Sequence, residues 1–546
     1  MPFEDIPVEY VKFQGWENAH GTEKRDNIYT FKPNNGQQTW RKGLKDLKAI
    51  VRYVQSYDTI PELRAYGGSW SLSEAAAVRK YEQTFLDGGM VDTSHLDRVI
   101  RTGLESTFVR SDYAAQRSDD LGGDAPNEHL VLVQSGTTVE DLNRILGDSD
   151  PPRSLKTTGA SDGQSICGAV QTGTHGGAYD VGSMHDSVVG LHIVGENGED
   201  HWIERESNPV VTDDFLDWFE GRLHRDDNLF ESALVGIGAF GLVHAMLIET
   251  EPLFDLAVWR WKCAFDHAAR EAIEAIVNRD ETSWVNAVTN FPGASPPDEL
   301  PYHFEVNFNV YAADDDAQCA YMTAMYKRTD HRVPVGDFDA KQPEVGSCIY
   351  EMISKAPDLL DSIRRNPPGD LIANAVKNVV LSKRQTYHGE RGTLAQVFGT
   401  PALPNTDGCS TEFALPAEHA LDAVELVREV ARGDTFLGVM GLRFVKSTSA
   451  PLAHTSFDGT DLACTIELPA VQSNETIAFY DNLWDALDRE PYPYKFHLGQ
   501  QNNLTRRRAR TLFGVGRLRR WADARRQLLS PAGRRLFTNS LVAKFA

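Results

Sequence analysis

The sequence predicts an α+β protein, and three observations carry that prediction. Residues 303–311, H-F-E-V-N-F-N-V-Y, alternate apolar and polar side chains with the two-residue period of a strand. Residues 45–57 and 415–432 carry apolar side chains at helical spacing instead. Gly236, Gly238 and Gly241 match G-x-G-x-x-G, but an apolar β-like run follows them where a dinucleotide fingerprint needs a helix. A parallel nicotinamide-binding sheet is therefore not expected. Beyond residue 252, strands and helices succeed one another in the manner of an α+β domain over an antiparallel sheet.

Taken in order, residues 1–40 are polar and show no clear period. The helix over Lys45–Tyr57 rests on Leu44, Leu47, Ile50, Val51 and Val54. Leu63–Tyr66 reads as a short strand stopped by Gly67-Gly68. Met90–Arg101 reads as strand and turn, and Gly103–Asn127 as an exposed insertion. His129–Gln134 is a buried strand, closed by Gly136. Thr138 sits where an N-cap would, with acids in the following turn, so Thr138–Leu146 is a helix. Thr157–Gly177 holds six glycines among small hydroxyl side chains, with no lysine or arginine. Such a loop lets a ligand approach the main chain and can cradle a phosphate with backbone amides. Ser187–Val194 is a strand, with E-N-G-E as a hairpin turn. Pro416-Ala-Glu favours a helix start. Residues 326–410 resist assignment, and a basic helical tail closes the chain.

Composition narrows the function classes. With 546 residues the chain can hold two or three domains with large cores. A net charge of −23 disfavours nucleic acid and anionic membranes as partners. The first residues lack the basic start and apolar core of a signal peptide, and no apolar run of spanning length occurs. Cys167, Cys263, Cys319, Cys348, Cys409 and Cys464 form no CxxC, so no metal site is expected. Reduced thiols in a cytoplasmic protein are the expectation.

Four segments then resemble one family. They are R-A-Y-G-G-S-W-S (64–71), Q-S-I-C-G-A-V-Q-T-G-T-H-G-G (164–177), V-G-I-G-A-F-G-L-V (235–243) and S-P-A-G-R-R-L-F-T-N-S-L (530–541). In order and spacing they resemble the vanillyl-alcohol-oxidase, or p-cresol-methylhydroxylase-type (PCMH), FAD flavoproteins, nearest the sugar-lactone and alditol oxidase branch. The resemblance covers roughly residues 35–255 and 405–546. It implies an N-terminal extension over 1–34, a PCMH-type FAD-binding domain of two α+β halves over 35–252, an α+β cap over 253–490, and a segment over 491–546 that returns to the FAD domain.

It also implies the site. Tyr66, Gly67, Gly68, Ser69, Trp70 and Ser71 would form one pyrophosphate loop. Thr158, Gly159, Ser161, Gly168, Thr172, Gly173, Thr174, His175 and Gly176 would form the other, with Gly241 and Val243 closing the cofactor site. Many relatives bond the flavin covalently through a histidine where Trp70 stands here, and some also use a cysteine near the start of the second loop, where Ser161 stands, so the resemblance implies a noncovalent FAD; a bond to Cys167 or His175, the remaining nucleophiles nearby, stays open. Arg443 and His497 match family site residues. The family's glutamate and lysine are replaced by Gly441 and Gln500, which puts a sugar alcohol or lactone substrate in doubt. His497 is the candidate base, since imidazole needs little tuning; a purely structural tie is equally open. Arg443 could stabilise an alkoxide or bind a carboxylate, or make an ordinary salt bridge. Glu412 could line the site or be structural, and Gln500 would be a neutral hydrogen-bonding residue. Gly159 aligns with a position where glycine admits oxygen, which implies an oxidase making hydrogen peroxide. A dehydrogenase with another acceptor, or a flavin-binding protein without activity, stays open.

Overall fold

A computed structural model describes residues 8–18, 22–35, 39–56, 60–79, 88–100, 106–113, 126–159, 161–293, 295–330, 385–398 and 408–546. Most of the expected insertion at 103–127 and most of the unassigned stretch at 326–410 lie outside the described residues. The fold is α+β and is built on three principal sheets. The first has four strands in the order Glu9–Glu17, Lys24–Lys32, Gly88–Asp92, Leu63–Tyr66. Its first pair is antiparallel and the other two are parallel. Residues 1–34, expected as an extension, thus contribute a hairpin to this sheet. Their mixed polarity follows from an edge position, where only one face needs to be apolar.

The second sheet has six strands in the order Arg222–Arg225, Asp200–Glu204, Val188–Val194, Leu242–Glu249, Leu130–Gln134, Val99–Ile100. The helix Trp40–Ser56 lies against it and buries Leu47, Ile50, Val51 and Val54. The expected N-cap at Thr138 is present: its side chain accepts from the Asp141 N–H at the head of Val139–Gly147.

The third sheet is fully antiparallel, with eight strands. They run Tyr387–Thr393, Asp255–Cys263, Ala320–Arg328, His303–Phe308, Met440–Lys446, Leu462–Val471, Gly408–Pro416, Lys495–Phe496. Two expectations need correction here. Pro416 ends a strand, and the helix starts later, at Ala420–Gly433. Proline is as compatible with a strand terminus as with a first helical turn. The second correction concerns Thr157–Gly177, which is not loop throughout. Ile166–Thr172 is helical, capped by the Ser165 side chain and ended by Gly173 at φ 85°. Ser165 and Gly173 are the start and stop signals, with only seven residues between them.

A buried asparagine ties the C-terminal helices to the segment that follows the first glycine loop. The Asn539 amide donates to the Glu74 and Ala77 carbonyls at 2.7 and 2.9 Å, and its oxygen accepts the Val542 N–H at 2.9 Å. No helix among the described residues is long and apolar enough to cross a membrane. Asn539→Ala leaves those carbonyls unpaired and removes a cap. It should cost about 2–3 kcal/mol, read as a lower urea midpoint with an unchanged slope.

Candidate active site

The two glycine loops meet. A Cβ on Gly67 would fall 2.2 Å from the Ser165 hydroxyl, and one on Gly68 would fall 2.6 Å from the Gly163 carbonyl. Only glycine allows that approach. The far end of the chain joins them: the Leu72 N–H donates to the Gly499 carbonyl at 2.8 Å, and the Ser73 hydroxyl donates to the Leu498 carbonyl at 2.6 Å. Arg64, fully buried, ties the first loop to the 235–243 segment by donating to the Ala75 carbonyl at 2.5 Å and the Gly238 carbonyl at 3.1 Å. Burial lowers its guanidinium to about 10, against the pull of Glu62.

Between these segments lies a cleft with about 1030 Å³ of empty space. Of the expected cofactor residues, Tyr66 through Ser71, Gly168, Thr172, Thr174, Gly241 and Val243 line it, as do His497 and Gln500. Two wall residues sit in the left-handed backbone region without being glycine, Ser69 at φ 57° and Ile237 at φ 44°. Strain of this kind gathers at ligand sites. Cys167, expected near the cofactor, also faces the cleft, and sequence reasoning missed Ser135, Gln164 and Gln171, which face it too. The signal for the first was a serine after a buried strand; the rest stand inside the glycine-rich stretch itself.

Other expected residues are not on the cleft wall. Thr158, Gly159, Ser161, Gly173 and Gly176 stand behind it. A Cβ on Gly176 would be 2.5 Å from the Thr157 hydroxyl, so glycine serves backbone packing there. His175 is likewise not on the cleft wall. Its Nε2 is 2.6 Å from Glu412 Oε1, and its Nδ1 is 2.8 Å from the Gly176 carbonyl. With an acceptor at each nitrogen, the imidazolium donates two hydrogen bonds. Burial opposes its charge, but the Glu412 carboxylate outweighs this and raises the pKa. The same partnership holds Glu412 well below its ordinary range despite its own burial. Glu412 is structural here, linking the second loop to the eight-stranded sheet.

His454 lies against this pair, its ring 5.2 Å from that of His175 and 4.7 Å from that of His497. Burial keeps it neutral. Candidate ligand atoms of His175, Glu412 and His454 lie within 4.8 Å of one another, the one such buried group among the described residues. The direct His175–Glu412 contact pairs those two members with each other, while both ring nitrogens of His454 are buried without a hydrogen-bond partner among the described residues.

His497 is not placed as a base. Its Nδ1 accepts the Gly499 N–H at 3.1 Å, which leaves the proton on Nε2. Burial pushes its pKa down to about 4, against the pull of Glu412. It is a neutral donor at the cleft wall. Arg443 is not free for a substrate carboxylate either. Its Nε donates to Glu305 at 3.2 Å and its Nη1 to Glu467 at 2.8 Å. Both glutamates escaped the sequence reading, although each is a lone acid in an apolar strand. Gln500, on the cleft wall, donates to Glu467 Oε1 at 3.3 Å, which places that carboxylate one hydrogen bond behind the wall.

No family model matches the chain. It is similar to a "Putative D-arabinono-1,4-lactone oxidase" of Neurospora crassa, 30% identical over 141 residues, 26% of this chain and 21% of that protein. It is also similar to D-arabinono-1,4-lactone oxidase of Saccharomyces cerevisiae, 25% identical over 141 residues, 26% of this chain and 23% of the relative. The matched segments thus span less than a quarter of these relatives' length. Cholesterol oxidase from B. sterolicum superposes with a TM-score of 0.67 at 12% identity, covering 100% of this chain and 99% of that one. That likeness establishes the fold.

The His175–Glu412 pair gives stability a defined pH window. The contribution of Glu412, its pKa depressed from an ordinary 4.5, is present above that value and lost as pH falls through the folded pKa. The contribution of His175, its pKa raised from an ordinary 6.5, is complete below that value and lost as pH rises through the folded pKa. Wild type should therefore show a stability plateau between those two ordinary values that falls away on both sides. Glu412→Gln should flatten the profile and lower it throughout, as read by denaturant midpoints across pH.

Proposed function

We propose that this chain, whose fold is that of the vanillyl-alcohol-oxidase and PCMH-type flavoproteins, is an FAD-dependent oxidoreductase acting on the CH–OH group of a small polyol, sugar lactone or related metabolite. The observation that carries this is the cleft, where both glycine loops, the 235–243 segment and the His497–Gln500 segment share one wall. The residues fit a flavin dinucleotide. Backbone turns and hydroxyls suit a diphosphate, and the Ser135 hydroxyl on the wall is buried without a protein partner among the described residues. When bound, FAD supplies the acceptor for the substrate's hydride.

The chain's own residues supply positioning. His497, neutral with its proton on Nε2, donates a hydrogen bond. Gln500 holds its buried, unpartnered Oε1 on the cleft wall. Arg443, engaged by two carboxylates, fixes their geometry and leaves no cation for an anionic substrate. A neutral, hydroxylated substrate follows.

We further infer that FAD is held without a covalent bond. Trp70 occupies the first-loop position, and burial pushes the Cys167 thiol up to about 12, far from the reactive thiolate. The same reading includes oxygen as acceptor with hydrogen peroxide as product, and a cytoplasmic location. Gly159 supports the oxygen step: a Cβ there would lie 2.6 Å from the Thr174 methyl, and Thr174 lines the cleft.

Purified protein should be yellow, and acid precipitation should release the colour into the supernatant. Colour retained in the pellet would contradict a noncovalent cofactor. Gly159→Ala should push Thr174 toward the cofactor and slow reoxidation in air about tenfold, roughly 1.4 kcal/mol on the barrier, in a stopped-flow measurement after anaerobic reduction.

A further inference from the structure

The family's site glutamate is missing at Gly441, yet the sheet brings another carboxylate to the same place. Gly441 pairs in register with Glu467 on the neighbouring strand, and Glu467 pairs in turn with Glu412. Directly opposed residues in an antiparallel sheet point to the same face. A side chain at 441 and the Glu467 side chain would therefore share one space. That space is open: a Cβ on Gly441 meets nothing closer than 3.4 Å, the Asn307 side-chain oxygen.

We propose, resting on the flavoenzyme reading above, that Glu467 is the carboxylate that receives the substrate's hydroxyl proton, supplied from the neighbouring strand in place of a side chain at 441. Its two oxygens are oriented separately: Oε2 accepts from Arg443 at 2.8 Å and Oε1 from Gln500 at 3.3 Å. A carboxylate has about four lone-pair positions, so these two bonds leave room for a substrate hydroxyl. Its side chain keeps 21% exposure, against 5% for Glu305 and 4% for Glu412, so it is the carboxylate of this row that a ligand can reach. Arg443 is a positioning residue, held from behind by Glu305.

The step balances with the flavin as acceptor. The carbinol C–H bond breaks, and hydrogen leaves with the electron pair. The O–H bond breaks, and its proton passes to Glu467, forming the carbonyl. The proton then returns to solvent. The groups facing Glu467 are Arg443 and Gln500, with Glu412 opposite on the next strand and the His175 cation paired to Glu412. Burial and the charge of Glu412 push Glu467 up from the ordinary carboxylate range despite Arg443. This moves it toward the pH at which a base must work.

The test uses the full flavin-loaded chain and inorganic sulfite, an anion that adds to flavin and bleaches it without being a substrate. Wild type, E467Q and E467A/G441E are titrated at several pH values from about 5 to 8, with flavin content and thermal unfolding recorded for each. Ionised Glu467 should repel sulfite, so wild-type affinity should fall with pH relative to E467Q by about five- to tenfold. E467A/G441E should restore the wild-type profile. Superimposable profiles for wild type and E467Q would overturn the assignment. A purely structural Glu467 would lower flavin content or unfolding temperature but leave the profiles parallel, which overturns it equally. A protein that takes up no flavin at all fails at the broader functional reading, a result distinct from either.

Discussion

The second glycine loop is tied to the eight-stranded sheet by a buried contact, the His175–Glu412 ion pair. His175 belongs to the second glycine loop; Glu412 belongs to the eight-stranded sheet. Both side chains are removed from water, so neither charge is tolerable without the other. The Phe304 N–H donating to the Gly177 carbonyl at 3.0 Å repeats the link two residues past His175.

Along that same sheet face the charges are arranged by reach. Glu305 is buried behind Arg443, Glu412 is taken by His175, and Glu467 alone keeps partial access to solvent. Arginine suits the centre of such a row because its planar fork serves two carboxylates at once. The histidines divide similarly. His175 is a cation, His454 is neutral and buried, and His497 is neutral with its accepting nitrogen already engaged by the backbone.

Much of this was legible in the chain. Glycines 67 and 68 announced a place of close backbone approach, and the apolar run after Gly241 is the strand its composition predicted. The hidden part has a physical cause. Replacement of the family glutamate by Gly441 looks like a loss as long as the sequence is read along one strand. Register between strands is set by turns and packing far from either residue, and no local pattern records that Glu467 stands opposite. The role of His497 was obscured for a related reason. Its type fits a base, but its tautomer depends on a backbone N–H two residues on. Pro416 misled through a true ambiguity, because its fixed φ suits both a helix start and a strand end.

The first glycine loop is completed by residues more than four hundred positions away, through Ser71, Leu72 and Ser73 bonding to the 498–499 backbone. A ribosome therefore releases both halves of the cradle long before the cradle exists. The nascent chain has its loops early, but their closure waits for synthesis to reach the last tenth of the polypeptide. The backbone that closes the cleft thus lies in the last tenth of the polypeptide, which synthesis reaches after both glycine loops. A chain cut short before that point would leave the Leu72 N–H and the Ser73 hydroxyl without these acceptors.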